Sequence, residues 1–230
     1  MNYQKPAALM LSTLGVAAGL AFVATQQTTV EAADHLDPPA RTNPDVAGAD
    51  ADRNADIADV YAWVRGEGAA RTAVFALSFA GPNVAAAGQE VPCDSDVVYQ
   101  IHIDNNGDTM GGVEPTSTIE MRLGEDDRGT CFYRITGVPG AGANPIVGAV
   151  GHTRRVGTTM AHVGLRADAF FFDLVGFRET LMTATLAFES DRDFFALKNT
   201  SVMVVEVPIL GVSPTDGSYR VWATTSRFGS

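Results

Sequence analysis

Val97-Val98-Tyr99-Gln100-Ile101-His102-Ile103-Asp104-Asn105-Asn106-Gly107-Asp108 is the stretch on which the fold turns. Val97, Tyr99, Ile101 and Ile103 share one side of an extended chain, while Gln100, His102 and Asp104 share the other. That two-residue period belongs to a strand with one buried face. The strand runs directly into an acidic turn containing Asn-Gly, a dipeptide suited to reversing the chain.

Similar runs lie on both sides. Thr72–Phe79 places Phe75, Leu77 and Phe79 together, Thr118–Leu123 alternates Ile119, Met121 and Leu123 with polar residues, and Cys131–Thr136 aligns Cys131, Tyr133 and Ile135. Further strands are predicted at Ala161–Leu165, Thr183–Phe188, Ser201–Val207 and Tyr219–Thr224. One short helix is expected after Asp173, a plausible N-cap, with Leu174, Phe177 and Leu181 on its apolar side. Gly137 to Thr159 shows no period and reads as a long surface loop. Seven to nine short strands with too few helices to cover a parallel sheet predict a mainly β fold, a single antiparallel β-sandwich with one or two short helices. Phe170-Phe171-Phe172 cannot all face one way in a strand, so one ring must meet a covering helix or an exposed patch.

The 230 residues are 46% apolar, enough for a full core, and 27 acidic residues against 16 basic give a net charge of −11. Such a surface repels phosphate backbones, which argues against nucleic acid as a partner. An apolar stretch from Ala7 to Ala24 follows Lys5 and precedes Val30-Glu31-Ala32, the pattern of a secretory signal peptide. No other membrane attachment is expected, although an uncleaved anchor would have a similar length. The expected organisation is a signal peptide at 1–32, an extended acidic arm at 33–59 and a β-sandwich at 60–230, in a secreted or periplasmic protein. Cys93 and Cys131 are then an even pair in an oxidising space, and a disulfide between them is predicted, with two buried thiols as the alternative.

Oxygen donors dominate the candidate sites. Asp104, Asn106 and Asp108 alternate around a tight turn in a manner suited to Ca²⁺, although Thr109 and Pro115 break the EF-hand pattern. The same residues serve a plain turn equally well. Asp50, Asp52, Asn54, Asp56 and Asp59 form a second acidic run, and a calcium ion bridging Asp56 and Asp59 to the Asp104 turn would anchor the arm. Cleavage after Ala32 would expose Ala33-Asp34-His35, a square-planar copper set. Met203, Met160, His162 and Lys198 could serve as axial ligands to haem. Trp63, Trp222 and the tyrosines could line a sugar platform, though single aromatics on strands usually belong to the core. Nucleophile elbow, HExxH, P-loop and dinucleotide motifs are missing from the sequence, which counts modestly against an enzyme.

Asp34-His35-Leu36-Asp37-Pro38-Pro39, Asp56-Ile57-Ala58-Asp59-Val60-Tyr61-Ala62-Trp63 and the Tyr99–Asp108 stretch, in that order, are similar to an uncharacterised secreted bacterial family. It is catalogued as domain of unknown function forty-three thirty-one. Gly164-Leu165-Arg166-Ala167-Asp168, Phe170-Phe171-Phe172-Asp173-Leu174, Asn199 with Glu206-Val207-Pro208, and Val221–Arg227 extend the resemblance over most of the chain beyond residue 32. Ala169 departs from it, standing where that family carries Pro. The resemblance implies an exported, mostly β protein with no assigned reaction. A looser similarity links the chain to the carbohydrate-binding and haem-binding β-sandwiches of the DOMON type. The expected function is therefore binding, without catalysis, of an extracellular glycan, surface or protein; a haem-binding electron-transfer module and a metal-assisted hydrolase are the alternatives.

Overall fold

The computed structural model describes residues 51–105, 114–212 and 219–228. These residues form two antiparallel five-stranded sheets. The strands in chain order are β1 (Ile57–Arg65), β2 (Thr72–Val84), β3 (Val97–Asp104), β4 (Ser117–Glu125), β5 (Cys131–Thr136), β6 (Ile146–Ala149), β7 (Arg154–Val156), β8 (Thr159–Ala167), β9 (Lys198–Pro208) and β10 (Arg220–Arg227). One α-helix, α1 (Leu174–Thr183), interrupts them. The first sheet runs β1-β2-β9-β8-β7 and the second β10-β3-β4-β5-β6.

Alternation along each strand decides what the sandwich encloses. Phe75, Leu77 and Phe79 of β2, Tyr99, Ile101 and Ile103 of β3, Ile119 and Met121 of β4, and Met203, Val205 and Val207 of β9 are all fully buried in one core. Each such side chain contributes roughly 1.5–3 kcal/mol by leaving water. Phe79 and Tyr99 meet across the layers with ring centroids 4.2 Å apart. Tyr133 of β5 closes the far side, its hydroxyl donating to the Ala161 carbonyl of β8 at 3.1 Å and to the His152 carbonyl at 2.9 Å. Gly148, paired with Tyr133, makes this reach possible, because a Cβ there would stand 2.5 Å from the phenol oxygen.

Four expectations need correction. β1 begins at Ile57, so Asp59 lies in a strand instead of an arm, and Asp56 immediately precedes it. The segment read as a long loop contains β6 and β7, four and three residues long, and buries Val138 and Ile146. Strands that short, separated by glycines, show no period in sequence. Thr183–Phe188 is not a strand: the chain leaves α1 through Ala184 in the left-handed region, φ 53°, and Thr180 Oγ1 accepts from the Ala187 amide at 3.0 Å. Threonines there cap a turn, a competing use of the same hydroxyls.

Helix α1 forms where expected, with Asp173 Oδ1 accepting from the Gly176 amide at 2.9 Å, but it buries a different side. Phe177 and Leu181 are exposed while Gly176 is the buried residue, because a Cβ at that position would come within 2.5 Å of the Ala187 carbonyl oxygen. Phe171 is exposed, whereas Phe170 and Phe172 stack with centroids 5.1 Å apart in an aromatic cluster with Phe195, Phe177 and Phe188.

Candidate ligand-binding cleft

The acidic residues singled out in the sequence occupy separate places. Asp104, at the end of β3, is buried and accepts from Arg220 Nε at 3.1 Å and from Nη2. Asn106 and Asp108 lie outside the described residues, as do Asp50 and the Ala33-Asp34-His35 terminus. Asp59 accepts from the Tyr61 hydroxyl at 2.8 Å, and its backbone amide donates to Ser78 Oγ. Burial first, and then Asp59, push the Tyr61 phenol well above the usual tyrosine range.

Residues 52–55 dock on the opposite end of β10 from Asp104. Asp52 pairs with Arg227, and Thr225 Oγ1 donates to the Ala55 carbonyl at 2.7 Å, while Asp104 pairs with Arg220. The two arginines lie seven positions apart on the strand, roughly 23 Å at about 3.3 Å per residue. Asp52 and Asp104 are therefore apart, and Asp52 is fastened by a guanidinium. Among the described residues no group of three His, Cys, Asp or Glu side chains is placed to hold a metal.

The haem ligand set is also divided. Met203 points into the core, and Val163, its partner on β8, is buried with it, so Met160 and His162 face the other side. Lys198 lies eight residues along β9 from Glu206, the partner of Met160, about 26 Å away in an extended strand. Its ammonium donates to the Phe194 carbonyl and sits 3.4 Å from the centre of the Phe194 ring. His162 Nε2 accepts from Arg166 Nη2 at 2.8 Å. A guanidinium can only donate, so the ring proton resides on Nδ1 and goes to Thr153 Oγ1, 3.2 Å away. Burial, and then the Arg166 charge, lower the affinity of His162 for a second proton. The two tryptophans do not form a platform: Trp63 is half-exposed on β1 and Trp222 stacks on His102 at 5.2 Å in the other sheet.

Cys93 and Cys131 form the predicted disulfide, with Cα atoms 5.8 Å apart. The bond fixes one end of the segment from Val84 to Asp94, which is held at three further points. The Ala85 amide donates to the Leu197 carbonyl at 3.0 Å, Asn199 Nδ2 donates to Gln89 Oε1 at 2.9 Å, and Asp94 accepts from Asn54 at 3.0 Å and from Arg227 at 2.9 Å. Both hydrogen bonds and the Arg227 charge hold the Asp94 carboxyl below its ordinary range, against the opposing effect of burial.

This pinned segment forms a wall between two adjoining cavities. The larger, about 800 Å³, lies between Gln89–Cys93, the β4–β5 turn and Gly164–Arg166 of β8. The smaller, about 410 Å³, lies between the same wall and the kinked end of β2, with Ser201 of β9 in its lining. Gln89, Glu90, Pro92 and Leu165 border both. Comparison of the chain with protein-family models, with curated proteins and with solved structures finds no match.

Ser201 is the residue that the sequence reading passed over. It shares a face with Met203, Val205 and Val207, is fully buried, and its Oγ has no hydrogen-bond partner among the described residues. A hydroxyl on an apolar stripe was the available signal. Leaving such a group unsatisfied costs about 1–3 kcal/mol, so beside a cavity wall it marks a place where a polar group from beyond the described residues would be stabilised.

Proposed function

We propose that the protein is an exported binding protein whose β-sandwich receives an extracellular ligand in the cleft bounded by Gln89–Cys93, Gly164–Arg166 and Ser201. The observation that carries this reading is the buried Ser201 hydroxyl, without a partner among the described residues, on the wall of a cavity large enough for a small ligand or part of a chain. Four separate attachments of the wall support it, because a preformed site loses less entropy on binding. Export is supported by the signal-like segment and by the disulfide.

Residues 33–230, oxidised, can be screened by thermal shift against defined oligosaccharides and short peptides. A stabilising compound whose effect disappears in Ser201→Val, while the melting of the free variant stays within about 3 °C of the parent, supports the cleft. A compound insensitive to Ser201→Val and to Leu165→Arg would remove the cleft as the site.

A further inference from the structure

We infer that the ligand of this cleft is an extended polypeptide that adds as a strand to the open edge of β8 at Leu165–Ala167. The inference rests on the cleft being the binding site and specifies what enters it.

The pairing of β8 reveals its open edge. In an antiparallel ladder, residues direct both backbone groups to one neighbour and then, one residue on, to the opposite side. The Asp168 amide donates to the Lys198 carbonyl of β9 at 2.9 Å, and the Val163 carbonyl accepts from the Gly151 amide at 2.7 Å on the other side. Even-numbered residues therefore bond β9, and Leu165 and Ala167 direct their amides and carbonyls away from it. β7 covers only Thr159–Ala161, and among the described residues no strand lies beside Leu165–Ala167. Gly164, Leu165 and Arg166 at this edge line the larger cavity, which ends short of Ala167.

A row of backbone donors and acceptors facing a preformed cavity matches the repeat of a main chain, which is the basis of strand addition. The edge is guarded in the way native edges usually are: Arg166 folds back so that Nη1 donates to the Leu165 carbonyl at 2.6 Å. That contact can be exchanged for a peptide amide without disturbing the β8–β9 ladder. Charge selects among peptides. Arg166 is held by His162 and its own strand, while Glu90 and Glu125 also line the cavity and are exposed, so a basic side chain is favoured.

The probe is a blocked six-residue peptide of alternating valine and threonine with one central lysine. Three controls accompany it: the same peptide N-methylated at alternate residues in each of the two registers, and one with glutamate for lysine. Hydrogen exchange on the oxidised protein should show new protection at Leu165 and Ala167. One N-methylated register and the glutamate peptide should bind at least tenfold more weakly. Ala167→Pro removes an outward amide and none of the β9 bonds, and should weaken the peptide at least fivefold. Equal binding by both N-methylated peptides, or protection confined to other strands, overturns the inference. An oligosaccharide bound in a Ser201-dependent way, with the peptide inert, overturns strand addition while leaving the cleft standing. If no compound responds to cleft substitutions, the cleft itself fails. Should Ala167→Pro unfold, the N-methylated pair still decides the question.

Discussion

Arg227 donates from Nε to Asp52 Oδ2 at 2.6 Å and from Nη2 to Asp52 Oδ1 at 2.7 Å, joining residues 175 apart in sequence. The same Nη2 reaches Asp94 at 2.9 Å. One planar guanidinium thus ties the residues entering β1, the end of β10 and the wall of the cleft. Both carboxylates shift the Arg227 equilibrium further toward the charged form.

Replacing Arg227 by alanine leaves two carboxylates facing each other, Asp52 being almost wholly buried. The expected loss is about 2–3 kcal/mol, at or below the usual cost of breaking a buried pair because Arg227 is partly solvated. That corresponds to a fall in Tm of roughly 5–10 °C. Arg227→Lys should recover less than half, since an ammonium cannot make the forked contact. A double-mutant cycle with Asp52→Asn tests the pairing; strict additivity would show that the contact has no energetic meaning.

The disulfide closes a loop of 38 residues, for which the chain-entropy model gives about 4 kcal/mol. Cys93→Ser with Cys131→Ser should lower Tm by roughly 8–16 °C. Hydrogen exchange in the double variant should quicken at Gln89–Cys93 before it quickens in β3 or β9. Uniform acceleration would mean that the wall has no independent stability.

His102 and His162 both have pKa values lowered from the ordinary 6.5, chiefly by burial. The folded protein therefore binds fewer protons than the unfolded chain near pH 6, and stability falls as pH drops from above 6.5 through the folded pKa values. Asp94 and Asp173 are lowered as well, so their contribution survives until pH falls below about 4. Tm should decline between pH 7.5 and 5.5 by on the order of 1 °C per histidine, because both rings are partly solvated. The decline should flatten in the His102→Gln, His162→Gln double variant. A Tm that rises on acidification across this interval would contradict the assignment.

Ser201→Ala removes a buried hydroxyl that has no partner among the described residues. Tm should stay level or rise by about 1–3 °C, equivalent to roughly 0–1 kcal/mol. A fall of 5 °C or more would show that the hydroxyl is satisfied in solution.

Much of this architecture was legible in the chain. Phe75-Leu77-Phe79, Tyr99-Ile101-Ile103 and Ile119-Met121 mark strands because one face of each sheet meets the core and the other meets polar surroundings. β1 was hidden because Asp56 and Asp59 read as an acidic arm, although Ile57 and Val60 pack against the core. The Cys93–Cys131 pairing followed from there being two cysteines, whereas the pairing of Asp104 with Arg220, 116 residues away, leaves no local pattern. The cleft was illegible for the same reason: Gln89, Glu125, Gly151, Arg166 and Ser201 come from five segments brought together only by the order of strands. Local pattern reports which face of a strand is wet and says little about which strand becomes its neighbour.

The bond between Cys93 and Cys131 makes one wall of the cleft an oxidation product. Without it, the segment from Val84 to Asp94 keeps only its hydrogen-bonded contacts at Ala85, Gln89 and Asp94. Under the proposed function, recognition is therefore timed as well as shaped. Under that proposal, a reduced chain would carry the β8 edge with an incomplete wall and bind polypeptides more weakly than the oxidised one. Under the same proposal, oxidation after export would complete the wall, so that the binding-competent form would first exist outside the reducing compartment.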